Sequence, residues 1–180
     1  KSGDGAGIMV QIPHEFILLK GIPVPEKGKY GTGLVFLPKD KTEQDKILKV
    51  MIEVIEAEGL NLMKLRDVPT NPACLGKVAL ESEPDIKQVF ITGVSNEDAP
   101  NLERKLYVIR KKIENQVNHK DFYIVSLSSK NIIYKGMLSS MQVRDYFDDL
   151  RDTYFTSGLA LVHSRFSTNT FPTWSLAQPF

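Results

Sequence analysis

The sequence predicts an α+β fold in which a smaller α/β lobe is inserted into a larger, β-rich core. Residues 31–128 alternate between strand and helix patterns in the order β-α-β-β-α-β, which is the ferredoxin-like order. A strand-like run at 7–12 precedes this stretch, and β-rich runs without the alternation follow it from about residue 121. We therefore assign one domain to residues 1–180 and place an inserted β-α-β-β-α lobe at about 31–120.

The first half of the chain carries three strand patterns and one long amphipathic helix. The run GIMVQI predicts a strand that Pro13 ends, GLVFLP predicts a buried strand, and LNLMKLRDV predicts a strand of alternating character. The helix is predicted at 41–59, with Asp40 or Thr42 as its N-cap and Gly59 at its C-terminal end. Its apolar face is formed by Ile47, Val50, Met51, Val54 and Ile55.

The second half begins with a strand and a helix and then becomes richer in β patterns. IKQVFITGV predicts a strand, and residues 99–118 predict a second amphipathic helix. DFYIVSLSS and NIIYKGML are separated by a short turn, and this arrangement predicts a β-hairpin. SSMQVRDYFDDL predicts a short capped helix, and SGLALVHSRFS predicts a buried strand that leads into a polar loop.

Composition excludes several classes of protein. The net charge of +1 gives no electrostatic case for binding nucleic acid or an anionic membrane surface. No apolar run is long enough to span a bilayer. The single cysteine, Cys74, excludes an internal disulfide framework and predicts a reducing, cytoplasmic setting.

The strongest candidate for chemistry is Arg165, which follows the apolar run LALVHS. An arginine can bind a carboxylate through two parallel hydrogen bonds, and the polar residues that follow, from Ser167 to Thr170, can add neutral hydrogen bonds. The alternative is a salt bridge that fastens the loop. Composition alone favours that alternative, because structural arginines outnumber substrate-binding ones.

Two further motifs have weaker functional readings. The glycine-rich SGDGAG could cradle a phosphate, but a strand rather than a helix follows it, so a tight turn between closely approaching strands is the favoured interpretation. Cys74 is the one candidate thiol nucleophile, and a small, half-buried residue is the favoured interpretation for it.

The remaining titratable residues show no catalytic or metal-binding pattern. The three histidines, His14, His119 and His163, are not spaced as metal ligands. The acidic pair Asp148 and Asp149 is interpreted as a solvated helix end rather than a catalytic dyad.

The closing stretch HSRFSTNTFPTWSLAQPF resembles a pattern in the glutaminase domain of the glutamate synthase large chain, R-x-x-T-N-T-F-P-x-W-x-L-A-x-P-F. The segments SGDGAGIMVQIPHEF, YGTGLVFLP, LRDVPTNPACLG and YIVSLSSKNIIYKGML resemble this family in the same order. The residues kept in the closing pattern are Arg165, Thr168, Asn169, Thr170, Phe171, Pro172, Trp174, Leu176, Ala177, Pro179 and Phe180. The resemblance extends over essentially the whole chain.

The resemblance implies a class II glutamine amidotransferase with the αββα sandwich of the N-terminal-nucleophile hydrolases, here incomplete. Such a domain hydrolyses glutamine to glutamate and ammonia, and the ammonia is channelled to 2-oxoglutarate for glutamate biosynthesis. The implied cofactors, FMN and an iron–sulfur cluster with NAD(P)H or ferredoxin as electron donor, belong to other domains, and none is expected within these residues. Implied partners are glutamine and glutamate, the other synthase domains and a small reductase subunit. A second copy of the chain is a further expected partner, because apolar surface exposed where strands of the domain are missing would promote dimerisation.

By the same resemblance, Arg165 binds the α-carboxylate of glutamine, and Thr168 and Asn169 line the same pocket. The sequence departs from the family in two places that matter for catalysis. Lys1 is not the N-terminal cysteine that serves as nucleophile, and the oxyanion-hole Asn-Gly pair is absent from these residues. We therefore expect an internal piece of the domain, without catalytic residues and inactive alone. The alternative is a non-catalytic amino-acid-binding or scaffold module.

Overall fold

Two antiparallel sheets organise the computed structural model, which describes residues 5–93, 99–164 and 171–177. The strands in these ranges are β1 (Ala6–Gln11), β2 (Tyr30–Leu37), β3 (Leu60–Asp67), β4 (Asp85–Gly93), β5 (Tyr123–Ile124), β6 (Asn131–Gly136) and β7 (Ala160–Ser164). Sheet A has the order β6-β1-β7, and sheet B has the order β3-β4-β2-β5. The architecture is therefore mixed α/β, with two sheets as the sequence predicted.

Helices connect the strands of both sheets. They are α1 (His14–Leu19), α2 (Lys41–Ala57), α3 (Lys77–Glu81), α4 (Ala99–Gln116) and α5 (Ser140–Tyr146). Asp40 is the N-cap of α2, since its carboxylate accepts a hydrogen bond of 2.9 Å from the backbone N–H of Glu43. The predictions of α2, α4 and α5 are confirmed, whereas α1 and α3 lie in stretches that the sequence pattern did not mark as helical.

Strand β2 is buried along its whole length because each of its two faces packs against a different apolar cluster. Val35 and Leu37 belong to the apolar cluster formed with α2 and α4. Leu34 and Phe36, on the other face, belong to the cluster formed with β1, β6 and α5. This strand therefore joins the core of sheet B to that of sheet A.

The predicted hairpin at 121–138 is wrong, because its two runs lie in different sheets. β5 pairs with β2, where Ile124 is opposite Val35, and β6 pairs with β1. The segment after β5 continues along β2, so that Thr32 N–H donates to Ser128 O at 2.9 Å. Gly33 permits this close approach: a Cβ there would lie 1.7 Å from Ser126 O. Contact with β2 thus replaces the pairing that the turn suggested.

The last predicted strand forms, but its predicted burial is wrong. β7 pairs with β1, where Ser164 is opposite Ala6, and all five of its residues are exposed. Among the described residues it is one of the two outer strands of sheet A. An apolar composition therefore indicated a strand correctly but did not distinguish an outer from a central position.

Candidate functional site

The predicted glutamine-binding residues Arg165, Thr168 and Asn169 lie outside the described residues. The structure does describe both flanks of that stretch. On one side β7 ends at Ser164, which is held opposite Ala6 of the central strand β1. On the other side the chain is described again from Phe171 to Ala177. The described part of the candidate site therefore consists of these two flanks and the residues that contact them.

Trp174 fixes the second flank to the rest of the molecule. Its side chain is 4% exposed and meets the ring of Phe36 edge-on, with the ring centroids 5.9 Å apart. Its indole Nε1–H donates a hydrogen bond of 3.0 Å to the carbonyl oxygen of Ala79 in α3. A buried indole N–H needs such a partner, so the bond specifies one orientation of the ring.

Gly136, the last residue of β6, provides the space for this indole. A Cβ at Gly136 would lie 2.4 Å from Cζ3 of Trp174 and 2.9 Å from Cε3. Any larger residue would therefore force the ring or the strand to move. The sequence contains both partners, a glycine that ends an apolar strand and the chain's one tryptophan. Only the fold shows that they are in contact.

Lys135 contacts the same flank from inside the protein. The residue is 2% exposed, and its Nζ lies 3.3 Å from Tyr123 Oη and 3.4 Å from the backbone carbonyl of Ser175. The Nζ also sits 4.6 Å from the centroid of the Tyr123 ring. Burial, and secondarily the charge of Arg110, lowers the pKa of Lys135 to about 8. Sequence reasoning did not single out this residue.

Part of the glycine-rich turn is visible at the start of β1. Gly3 and Asp4 lie outside the described residues, while Gly5 adopts a positive φ of 146°. At Gly7 a Cβ would lie 2.6 Å from the carbonyl oxygen of Tyr134 in the neighbouring strand. This glycine therefore fits the interpretation that the motif allows strands to approach closely.

Cys74 has the surroundings of a structural residue. It ends a short 3₁₀ turn, Pro72–Cys74, and its thiol donates a hydrogen bond of 3.2 Å to the carbonyl oxygen of Asn71. Partial burial, followed by the charge of Asp145, raises the pKa of the thiol. A nucleophilic cysteine needs the opposite shift, because only the thiolate attacks.

The three histidines lie in separate places. The Nδ1 of His14 is 3.1 Å from Tyr30 Oη, and the Nδ1 of His119 accepts a hydrogen bond of 3.1 Å from Asp121 N–H. His163 is exposed on β7. Across the described residues, no group of three or more His, Cys, Asp or Glu side chains is placed to hold a metal ion.

Asp149 is buried, so its interpretation as part of a solvated helix end is wrong. Its carboxylate accepts two hydrogen bonds from Arg66, at 2.7 and 2.8 Å, and one from Tyr134 Oη at 3.0 Å. Burial, reinforced by the charge of Asp149, raises the pKa of Tyr134 well above its ordinary value. Only Asp148 of the pair is substantially exposed, and its partner is Arg151. The Asp149 cluster joins sheet B to sheet A and has the chemistry of a structural ion pair.

Comparison with known proteins identifies the family. The family model for class-II glutamine amidotransferases matches residues 1–180. The chain is 50% identical to the glutamate synthase (NADPH) large chain of Bacillus subtilis and 40% identical to the glutamate synthase (NADH) of Saccharomyces cerevisiae. It is 39% identical to the chloroplastic ferredoxin-dependent glutamate synthase of Spinacia oleracea.

Each of these matches covers 99% of this chain but only a small part of the relative. The chain spans 12% of the Bacillus and Spinacia proteins and 9% of the Saccharomyces protein. The resemblance to glutamate synthases that the sequence motifs indicated is confirmed. The chain therefore belongs to the class-II glutamine amidotransferases, and the curated proteins it resembles are glutamate synthases.

Proposed function

We propose that this chain forms part of the glutaminase domain of a glutamate synthase, which hydrolyses glutamine to glutamate and ammonia. The observation that carries the proposal is the match to glutamate synthases along 99% of the chain, at 39–50% identity in the three relatives described above. In the whole protein, the ammonia would be channelled to 2-oxoglutarate. The mixed fold with two antiparallel sheets supports an N-terminal-nucleophile hydrolase sandwich.

Within this function, Arg165 binds the α-carboxylate of glutamine, and Thr168 and Asn169 line the pocket. A guanidinium suits this role because its paired N–H groups match the two carboxylate oxygens. The anchored flanks support the proposal, since Ser164 is paired within sheet A and Trp174 is buried against β6. Substrate-binding residues need such rigid supports.

The 180 residues alone release no ammonia from glutamine in this proposal. Their one thiol belongs to Cys74, whose hydrogen bond to Asn71 and raised pKa make it a poor nucleophile. Amidotransfer in the family requires an activated thiolate, and loss of a nucleophile removes most of an enzyme's rate.

The cofactors of the whole protein would be held elsewhere. Relatives are named for NADPH, NADH or ferredoxin, and FMN and an iron–sulfur cluster are the groups proposed to carry the electrons. An iron–sulfur cluster is held mainly by cysteine thiolates, and a chain with one cysteine does not fit it. The other synthase domains and a small reductase subunit are proposed partners, in the cytoplasm. No helix in the described ranges could cross a membrane.

The inserted lobe at about 31–120 is proposed to be ferredoxin-like. The order β3-β4-β2-β5 with antiparallel neighbours supports this, because it is the order that a β-α-β-β-α-β repeat gives in that fold. Helices α2 and α4 pack on one face of that sheet. In this proposal the lobe includes β5 (Tyr123–Ile124) and so ends a few residues beyond 120.

Binding of L-glutamine and L-glutamate to the chain, measured by isothermal titration calorimetry, tests the proposed function. Arg165→Ala should weaken binding about 10- to 100-fold, the range expected when charge-assisted hydrogen bonds are lost. The matched control is Arg104→Ala, on the exposed side of α4, which should leave affinity within about twofold. Glutamine binding that is unaffected by Arg165→Ala would contradict the proposed site and favour an amino-acid-binding module in the lobe.

A further inference from the structure

We propose that Lys135 is a positioning residue for glutamine binding, because it holds segment 171–177, which follows the Arg165 stretch, against sheet A. This inference rests on the proposed function and adds to it a residue that acts through segment 171–177. Lys135 acts together with Trp174, which anchors the same segment to β6 and α3. The two residues form what we call the segment anchor.

Burial of Lys135 needs an explanation beyond stability. An ammonium group loses favourable hydration when it is buried, and an apolar residue of similar length usually stabilises a core at least as well. At 2% exposure the Nζ still reaches the phenol of Tyr123 and the main-chain carbonyl of Ser175. These contacts lie on different parts of the chain, so the lysine joins β5 to segment 171–177. Buried ionisable groups with specific partners are enriched at functional sites.

The strand register places Lys135 in the same cross-strand row as the end of β7. Lys135 is opposite Gly7 of β1, and Gly7 is opposite His163 of β7. Adjacent strands lie about 4.8 Å apart, so this row spans about 10 Å. His163 is two residues before Arg165. The lysine therefore lies two strands from the flank that leads into the Arg165 stretch and contacts the flank that leaves it.

Fixing both flanks has a thermodynamic consequence for binding. Hydrogen bonding to β1 fixes the first flank at Ser164, and the segment anchor fixes the second at Trp174 and Ser175. Holding both flanks of a binding segment reduces the conformational entropy that the segment loses when its ligand binds, and this increases affinity. Release of the second flank should therefore weaken glutamine binding while most of the core remains intact.

The single tryptophan gives a direct readout of the anchor. Because Trp174 is the only tryptophan in the chain, tryptophan emission, excited at a wavelength that tyrosine does not absorb, reports on this segment alone. Lys135→Met keeps a long apolar side chain and removes the ammonium group. We expect a shift of the Trp174 emission to longer wavelength, stronger quenching by acrylamide, and about tenfold weaker glutamine binding by calorimetry. Far-ultraviolet circular dichroism should stay as in the wild type.

Three further variants separate the anchor from general effects. Lys130→Met, at an exposed lysine five positions earlier, should leave emission and affinity unchanged. Lys135→Arg keeps a cation and should restore part of the affinity. Gly136→Ala leaves Lys135 in place but displaces the indole, because its Cβ would lie 2.4 Å from the ring. It should reproduce both the emission shift and the loss of affinity, and it decides the question if Lys135→Met does not fold.

The outcomes distinguish this inference from the proposed function. Wild-type emission and affinity in Lys135→Met would overturn the inference, and so would weaker binding with unchanged emission. A wild-type chain that binds no glutamine would overturn the proposed glutamine-binding site and the role of Lys135 in affinity. In that case a shifted emission in Lys135→Met would still support the anchoring of the segment.

Discussion

Arg66 and Asp149 illustrate how one buried ion pair connects the two sheets. Arg66 lies on β3, and its guanidinium forms two parallel hydrogen bonds with the Asp149 carboxylate, which is itself bonded by Tyr134 of β6. Arg66 also donates to Gln88 Oε1 at 2.9 Å. Burial by itself would lower the pKa of Arg66, but the partnership with Asp149 outweighs it and raises that pKa. Both charges are satisfied, so the pair is costly to break from one side.

Asp149→Ala should therefore lower the free energy of unfolding by about 3–5 kcal/mol, the usual cost of leaving a buried charge without its partner. Asp148→Ala is a matched control at the adjacent position, where the carboxylate is 41% exposed and pairs with Arg151 at the surface. It should cost about 0–1 kcal/mol. Urea unfolding followed by circular dichroism measures both values. Equal losses of unfolding free energy in the two variants would show that the buried Asp149 pair stabilises the fold no more than the surface pair does.

The lowered pKa of Lys135, about 8, makes stability depend on pH in a defined direction. Between that value and the ordinary lysine pKa of about 10.4, the unfolded chain binds more protons at this site than the folded chain. The free energy of unfolding therefore rises with pH in this window, at most by about 1.4 kcal/mol per pH unit for one proton. Below pH 8 both states carry the proton, and the contribution is constant.

Comparison of the wild type with Lys135→Met from pH 7 to 10 isolates this effect. The wild type should gain stability relative to the variant above pH 8. Buried tyrosines such as Tyr134 oppose the gain above pH 10, since their raised pKa favours the unfolded state there, but they are shared by both proteins and cancel in the difference. Parallel stability curves over the whole range would contradict the assigned pKa.

At the scale of elements, sequence patterns identified the strands and long helices but not all of their partners. The apolar periodicity of α2 and the Asp40 cap are local features, and the structure confirms both. The hairpin error arose because turn chemistry is also local, whereas the choice of partner depends on Gly33, about ninety residues earlier in the chain. A missing side chain on a distant strand leaves no signal in the turn itself.

In the candidate site, too, residues in a local motif were predicted and a residue defined by a long-range contact was missed. Arg165, Thr168 and Asn169 were found from their motif, and their structural placement stays a prediction. Lys135 was missed because one lysine in the apolar run NIIYKGML is easily taken for an exposed residue on an alternating strand. Its contact with Ser175 joins residues 40 positions apart, which only the fold brings together.

At the scale of the whole molecule, β7 places exposed apolar residues beside an apolar cavity. Val162 is 75% exposed and Leu161 is 46% exposed. A cavity of about 560 Å³ next to this strand is lined mainly by apolar residues, among them Ile8, Val143 and Phe155. Within the described ranges, β7 pairs with β1 on one side only. An outer strand with exposed apolar residues is a template for pairing with another chain.

We therefore predict that the 180-residue chain self-associates through β7 and that Val162→Lys suppresses the association. A lysine on an outer strand opposes edge-to-edge pairing, because its charge must be desolvated at the contact. Sedimentation velocity across a concentration series should show a dimer dissociation constant at least about tenfold weaker in this variant. Val78→Lys, at an exposed valine on α3 away from the strand, is the control and should behave as the wild type. A wild type that stays monomeric at every concentration would exclude self-association through β7. An equal change in the dimer dissociation constant in Val162→Lys and Val78→Lys would also exclude β7 as the contact.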